Sequence, residues 1–302
     1  MMTRTKLTPD GPEFSRMVFG TWRFLDGNLT TQDINRRLNR CVELGITTID
    51  TAEIYGLYEV EAAVGKALAL SPDLKKQIEI VTKAGIYVPN HRNPERKVAY
   101  YNATGSQFTR SLETSLELLG VEQIDLLLVH RPDWLTGIDE TSDGLNHLLA
   151  TGKIRNAGVS NYTPSKFQAL NSRMEQPLVT NQVEFHLLHM DPIYDGTFDQ
   201  CQELRVKPMA WSPMAGGRLF DQSNEAAQRL AKTAKELSAK YNGATLEQLA
   251  YAWIMAHPSS PLPILGTNRL ERIDSAAASI DLKLDREDWY ALWTSAKGHG
   301  IP

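Results

Sequence analysis

Short runs of apolar and β-branched residues alternate with amphipathic stretches along most of the chain. The short runs predict strands at Met17–Phe19, Thr48–Asp50, Ile78–Lys83, Ile124–His130, Ile154–Ser160, Val179–Val183, Pro208–Trp211 and Pro263–Gly266. Between them, Leu112, Leu116 and Leu119 recur at helical spacing, and 224–241 and 246–255 also read as helices. Strands that alternate with helices pair in parallel. About eight such units favour a closed (β/α)8 TIM barrel over an open, doubly wound sheet. The open sheet also predicts a glycine-rich fingerprint after its first strand, where this chain has Gly20-Thr21-Trp22. Gly65-Lys66 does not make a phosphate loop, since Ala67 follows it and Val60 stands where the first glycine belongs. With no low-complexity block or linker to divide it, the chain reads as one domain over 1–302.

Composition narrows the partners. Acidic residues number 36 and basic residues 32, a net charge of −4 that offers no electrostatic case for nucleic acid or an anionic membrane. No apolar run approaches the ~20 residues of a membrane span. The first residues, MMTRTKLTPDGPEF, lack the apolar segment of a signal peptide. Cys41 and Cys201 are the only cysteines, which fits a reducing, cytoplasmic setting. The Asn-x-Ser/Thr triplets, such as Asn161-Tyr162-Thr163, carry no weight without secretion. His186 and His189 have no matching cysteine or acidic cluster, so they read as loop structure and no metal is expected.

In a barrel of this type, chemistry is built at the carboxyl ends of the strands. Polar residues close or follow the predicted strands there: Asp50, Lys83, His130, Ser160-Asn161, Gln182, Trp211-Ser212 and Gly266-Thr267. Singly, each has a plain reading. Asp50 caps a turn, Lys83 is solvated, His130 satisfies a turn, and Tyr55 packs. Together they describe a general-acid site for a developing alkoxide. Asp50 holds Lys83, Lys83 lowers the pKa of Tyr55, and His130 orients a carbonyl oxygen.

These residues sit in motifs that resemble the aldo-keto reductases, over nearly the whole chain: ITTIDTAEIYG, VTKAG, IDLLLVHRPD, GKIRNAGVSNY, NQVEFH, AWSPMAGGRL and PILGTNRLERI. The ending WYALWTSAKGHGIP is similar to a bacterial group of uncharacterised oxidoreductases. The resemblance implies a (β/α)8 barrel that binds NADPH or NADP+ without a Rossmann motif and reduces an aldehyde or ketone. Tyr55 would be the proton donor, with Asp50, Lys83 and His130 completing the catalytic set. Ser160, Asn161 and Gln182 would hold the nicotinamide carboxamide, and Trp211 would stack on its ring. Ser212, Pro213, Met214, Gly216, Gly217, Arg218 and Leu219 would form a strap over the pyrophosphate. Thr267, Asn268 and Arg272 would face the adenosine 2′-phosphate, with Gly20, Thr21, Trp22, Asp50 and Gly266 also on the cofactor side.

Two departures from the family pattern stand out. Gly266 stands where many relatives have a lysine, and Ser275-Ala276 where many have Glu-Asn. Arg269 or Arg272 can still supply the charge that favours NADPH over NADH. Trp22, Tyr55, His130 and Trp134 are the expected substrate walls, with the long segment IYVPNHRNPERKVAYYNATG after Lys83. Two other readings use the same residues: a lyase with Lys83 as a Schiff base, and a non-enzymatic nucleotide sensor.

Overall fold

Eight parallel strands close into a barrel in a computed structural model that describes residues 2–91 and 93–301. Met1 and Pro302, the ends of the expected domain, and Arg92, in the segment after Lys83, lie outside the described residues. The barrel strands are β1 (Val18–Gly20), β2 (Thr48–Asp50), β3 (Glu79–Ala84) and β4 (Leu126–Val129), followed by β5 (Ala157–Ser160), β6 (Asn181–Glu184), β7 (Met209–Trp211) and β8 (Leu262–Leu265). They pair in chain order, and β8 returns to β1 through Ile264 opposite Val18. Each predicted strand is present, shifted or trimmed by up to three residues at either end. Ile124 and Ile154 fall outside their strands but still meet as an isolated bridge.

The helices include α1 (Thr31–Glu43), α2 (Val60–Ala69), α3 (Gly105–Leu119) and α4 (Ile138–Ala150). Later in the chain come α5 (Pro164–Asn171), α6 (Thr197–Glu203), α7 (Glu225–Ser238), α8 (Leu246–Met255), α9 (Leu270–Ala278) and α10 (Arg286–Lys297). In α1, Thr30 and Asp33 form a reciprocal capping box, and Ile34, Leu38 and Cys41 turn one face inward. Asn224 caps α7 through Ala226 and Ala227, which sets the start of that predicted helix.

The period of two along each strand sorts its side chains between the barrel interior and the helix layer. Val18, Val81, Leu126, Leu128, Met209, Leu262 and Ile264 fill the interior, while Phe19, Ile49, Ile80, Leu127 and Val129 pack outward. An N-terminal hairpin, Arg4–Lys6 with Glu13–Ser15, adds Leu7 and Phe14 to the interior cluster. The site follows from the same alternation. Asp50 lies two residues past Thr48, Lys83 two past Val81, His130 two past Leu128 and Trp211 two past Met209. Each therefore lies on the inward face, one step above the apolar filling.

Candidate active site

Lys83 is the hub. It is 1% exposed, a cation in the interior with every ammonium proton used. Its Nζ donates to Asp50 Oδ2 at 2.7 Å, to the Thr51 carbonyl at 2.8 Å and to the Tyr55 hydroxyl at 2.8 Å. The other Asp50 oxygen accepts from Gln182 Nε2 at 2.8 Å. Ser160 Oγ donates to the Gln182 carbonyl at 2.9 Å and accepts from Asn161 Nδ2 at 2.7 Å. Trp211 Nε1 donates to Asn161 Oδ1 at 3.0 Å, which fixes the plane of the indole. Five strand ends, those of β2, β3, β5, β6 and β7, are thus joined by hydrogen bonds across the top of the barrel.

Tyr55 reaches the site through a tight turn. Thr51 N–H bonds the Val81 carbonyl and Glu53 N–H bonds that of Lys83, so the chain is still tied to β3 as it leaves β2. Gly56, Leu57 and Tyr58 then all have positive φ. Gly56 has a φ of 57°, which favours glycine, and a Cβ there would also press on the Leu25 side chain, 2.5 Å from its Cδ1. The Tyr55 ring meets Trp22 at 5.1 Å and His130 at 5.9 Å between centroids.

Burial governs the electrostatics. It pushes the Tyr55 phenol well above the usual tyrosine range, Asp50 adds to the rise, and Arg131 opposes it. The expected lowering by Lys83 is not found. Lys83 is paired with Asp50, so the phenol faces a neutralised ion pair in a desolvated pocket. Burial likewise lowers Lys83, against the pull of Asp50. His130 is held well below the ordinary histidine value by burial, then by Lys83 and Arg131, and so stays a neutral imidazole. Its Nδ1 is buried without a hydrogen-bond partner among the described residues.

A cavity of about 550 Å³ opens over this network. Gly20, Trp22, Asp50, Tyr55, His130, Ser160, Asn161, Gln182 and Trp211 line it. So do Ser212, Pro213, Met214, Gly216, Gly217, Gly266, Thr267, Asn268 and Arg272. Lys83 sits behind Tyr55 rather than on the cavity wall. Saturated and walled off in this way, its amine is placed to tune a neighbour, not to attack a carbonyl as the lyase reading needs.

Other expected residues lie elsewhere. Thr21 is buried and bonds the Asp50 carbonyl. Leu219 is in the core, and Arg218 is largely exposed beside Glu184 at 3.9 Å. Trp134 is 78% exposed and packs edge-on against Tyr101, away from the cavity. The segment after Lys83 forms a small hairpin, Ile86–Tyr87 with Tyr100–Tyr101. Arg96 on its loop donates to the Tyr58 hydroxyl at 3.0 Å, and none of its described residues lines the cavity. The substrate walls are therefore shorter than the loop length suggested. His186 and His189 close a turn on each other, and His186 Nε2 lies 3.0 Å from Glu184.

The cavity is also lined by residues that the sequence motifs did not assign: Arg23, Asp26, Arg131, Phe220, Glu247 and Tyr251. Arg131 directly follows His130, and that adjacency was the available signal.

A nicotinamide dinucleotide fits this lining. Gly216 and Gly217 have φ of 66° and 100°, and a Cβ on either would meet nothing within 4 Å, which leaves bare backbone free for close approach. Asn161 and Ser212 hold positive φ at the same rim.

Comparison with known proteins gives a consistent result. The profile of the Aldo/keto reductase family matches residues 16–296. The chain is 42% identical to oxidoreductase YdhF of Escherichia coli (strain K12), over 100% of both chains. It is 41% identical to a 6-dehydroglucose reductase of Agrobacterium fabrum, over 97% of both. Among solved structures, the thermostable aldo-keto reductase Tm1743 superposes with a TM-score of 0.79 at 27% identity, covering 97% of this chain and 100% of that one.

Proposed function

The chain belongs to the aldo/keto reductase family, an oxidoreductase family that acts on carbonyl groups, and from that premise we propose that it reduces an aldehyde or ketone with NADPH, using Tyr55 as the proton donor. The observation that carries this reading is the Lys83 ammonium, bonded at once to Asp50 and to the Tyr55 hydroxyl behind a cavity that Tyr55 and His130 share.

Tyr55, with its pKa raised, keeps its proton until a developing alkoxide takes it. Lys83 then stabilises the phenolate that remains, and Asp50 limits the cost of a cation in that setting. A neutral His130 donates a hydrogen bond to the carbonyl oxygen and fixes its position between the two rings. Ser160, Asn161 and Gln182 would hold the carboxamide, and Trp211, with its plane fixed by Asn161, would offer a stacking face. When bound, NADPH supplies the hydride. The same arrangement argues against a sensor without turnover, because binding alone needs no proton relay.

The test is Tyr55→Phe. Turnover of a carbonyl panel that includes a sugar aldehyde, the substrate type in the name of the Agrobacterium relative, is expected to fall ~10²–10⁴-fold. NADPH affinity, read by fluorescence quenching, is expected to stay near that of the wild type. Near-normal turnover in the variant removes Tyr55 from the role.

A further inference from the structure

Most charges in the cavity are matched. Arg23 pairs with Asp26 at 3.3 Å, Asp50 with Lys83 at 2.7 Å and Arg269 with Glu271 at 2.6 Å. Arg272 is not matched in this way, but it lies at the β8 end, where the 2′-phosphate is assigned. At the reacting end the unmatched charge is Arg131. Among the described residues it has no carboxylate at ion-pair distance and no side-chain hydrogen bond; its guanidinium lies 5.9 Å from the Trp211 ring centroid. The acid nearest in sequence, Asp133, is already engaged by the Ala103 and Leu135 amides and the Thr136 hydroxyl. Arg131 is half-buried on the cavity wall, and its charge is felt by both Tyr55 and His130.

We propose that Arg131 is a specificity residue that binds a carboxylate carried by the substrate, so that the preferred substrates are aldehydes or ketones of the oxo-acid class. This rests on the reductase reading. A guanidinium on the face of an indole keeps its N–H edges free, and those edges match a carboxylate two-to-two. Partial burial strengthens the pairing relative to an exposed one. A neutral hydroxylated chain can accept the hydrogen bonds but leaves the charge uncompensated. Adjacency to His130 puts the charge close to the carbonyl, which favours short substrates in which few bonds separate the two groups.

The experiment uses three aldehydes of similar size: 4-oxobutanoate, butanal and glyceraldehyde. It follows kcat/KM with NADPH for the wild type, Arg131→Gln and Arg131→Lys. The wild type is expected to prefer 4-oxobutanoate. In Arg131→Gln the ratio of 4-oxobutanoate to butanal is expected to fall about 10–100-fold, the scale of a charge-assisted bond, with the loss mainly in KM. Arg131→Lys should recover part of it, because charge is kept and the fork is lost. An unchanged ratio overturns the proposal, and so does an equal loss for glyceraldehyde, which would mark a general hydrogen-bonding role. A second readout stands apart from turnover: calorimetric binding of 4-hydroxybutanoate to the protein with NADP+, expected to weaken by a similar factor in Arg131→Gln. If no aldehyde turns over, the reductase reading fails, and this titration alone decides whether Arg131 binds a carboxylate.

Discussion

At the scale of single residues, the site places one carboxyl group where its ionisation is costly. Glu53, in the turn between Asp50 and Tyr55, has a buried Oε2 with no hydrogen-bond partner among the described residues. Burial raises its pKa from 4.5 to about 7; Glu61 adds to the rise, while Ser111 and Arg96 oppose it. The folded protein thus holds this proton more tightly than the unfolded chain, so the stability linked to it is present below 4.5 and is lost as pH rises towards 7. The loss is on the order of 3 kcal/mol at most. Glu53→Gln keeps the shape and removes the charge. Its melting temperature is expected to match the wild type near pH 4.5 and to exceed it increasingly up to pH 8. A gap that does not change with pH would sink the idea. Glu53 lies within the motif that pointed to Tyr55, yet nothing in its neighbours along the chain marks it as buried. The rise comes first from burial, which only the folded chain creates, and the Ser111 hydrogen bond that opposes it is brought from α3.

At the scale of elements, Gly65 shows how a negative sequence reading can hide a packing role. Gly65-Lys66 fails as a phosphate loop, and the structure gives the glycine another use. A Cβ there would lie 1.9 Å from the Leu118 carbonyl oxygen, so α2 and α3 approach closely only because position 65 has no side chain. The obstacle is backbone and cannot rotate away. Gly65→Ala is expected to destabilise by about 1–3 kcal/mol through overpacking, seen as a melting temperature several degrees lower. An unchanged melting temperature would mean that the helices can part without cost. Elements themselves were legible, because α8 carries its own periodicity and β2 its β-branched run. Their edges were less so. Ile124 and Ile154 are as apolar as the strands they precede, and only hydrogen bonding decides where the ladder begins. The hairpin after Lys83 was unreadable as such, since its polar loop depends on Tyr58 and Arg96 meeting in space.

At the scale of the whole molecule, the closed barrel turns separate sequence positions into one charge pattern. The candidate catalytic set was legible because Asp50, Lys83 and His130 each close or follow a strand and Tyr55 lies in the turn after Asp50. The electrostatic directions at Tyr55 and Lys83 were not, because burial outweighs the partners that sequence can name. The choice between Arg269 and Arg272 belongs to the same class of question. Three residues apart at the start of α9, they have equal claims on a phosphate until the rest of the barrel is placed around them. Arg269 is then committed to Glu271 at 2.6 Å, whereas the Arg272 guanidinium lies 5.8 Å over the Phe220 ring, on the cavity wall. Gly266 contributes no charge there, so on the proposed NADPH reading we assign the 2′-phosphate to Arg272, the arginine not paired with a carboxylate among the described residues. Arg272→Ala is therefore expected to weaken NADPH by about 10–100-fold, the scale of a charge-assisted contact, and NADH far less, since NADH lacks the 2′-phosphate. Arg269→Ala should have the smaller effect on NADPH, because much of its charge is already answered by Glu271. Fluorescence titration of both cofactors against both variants decides the matter. Equal weakening of NADPH and NADH by Arg272→Ala would show that this arginine does not read the phosphate, and a larger NADPH loss in Arg269→Ala would move the role three residues back along the chain.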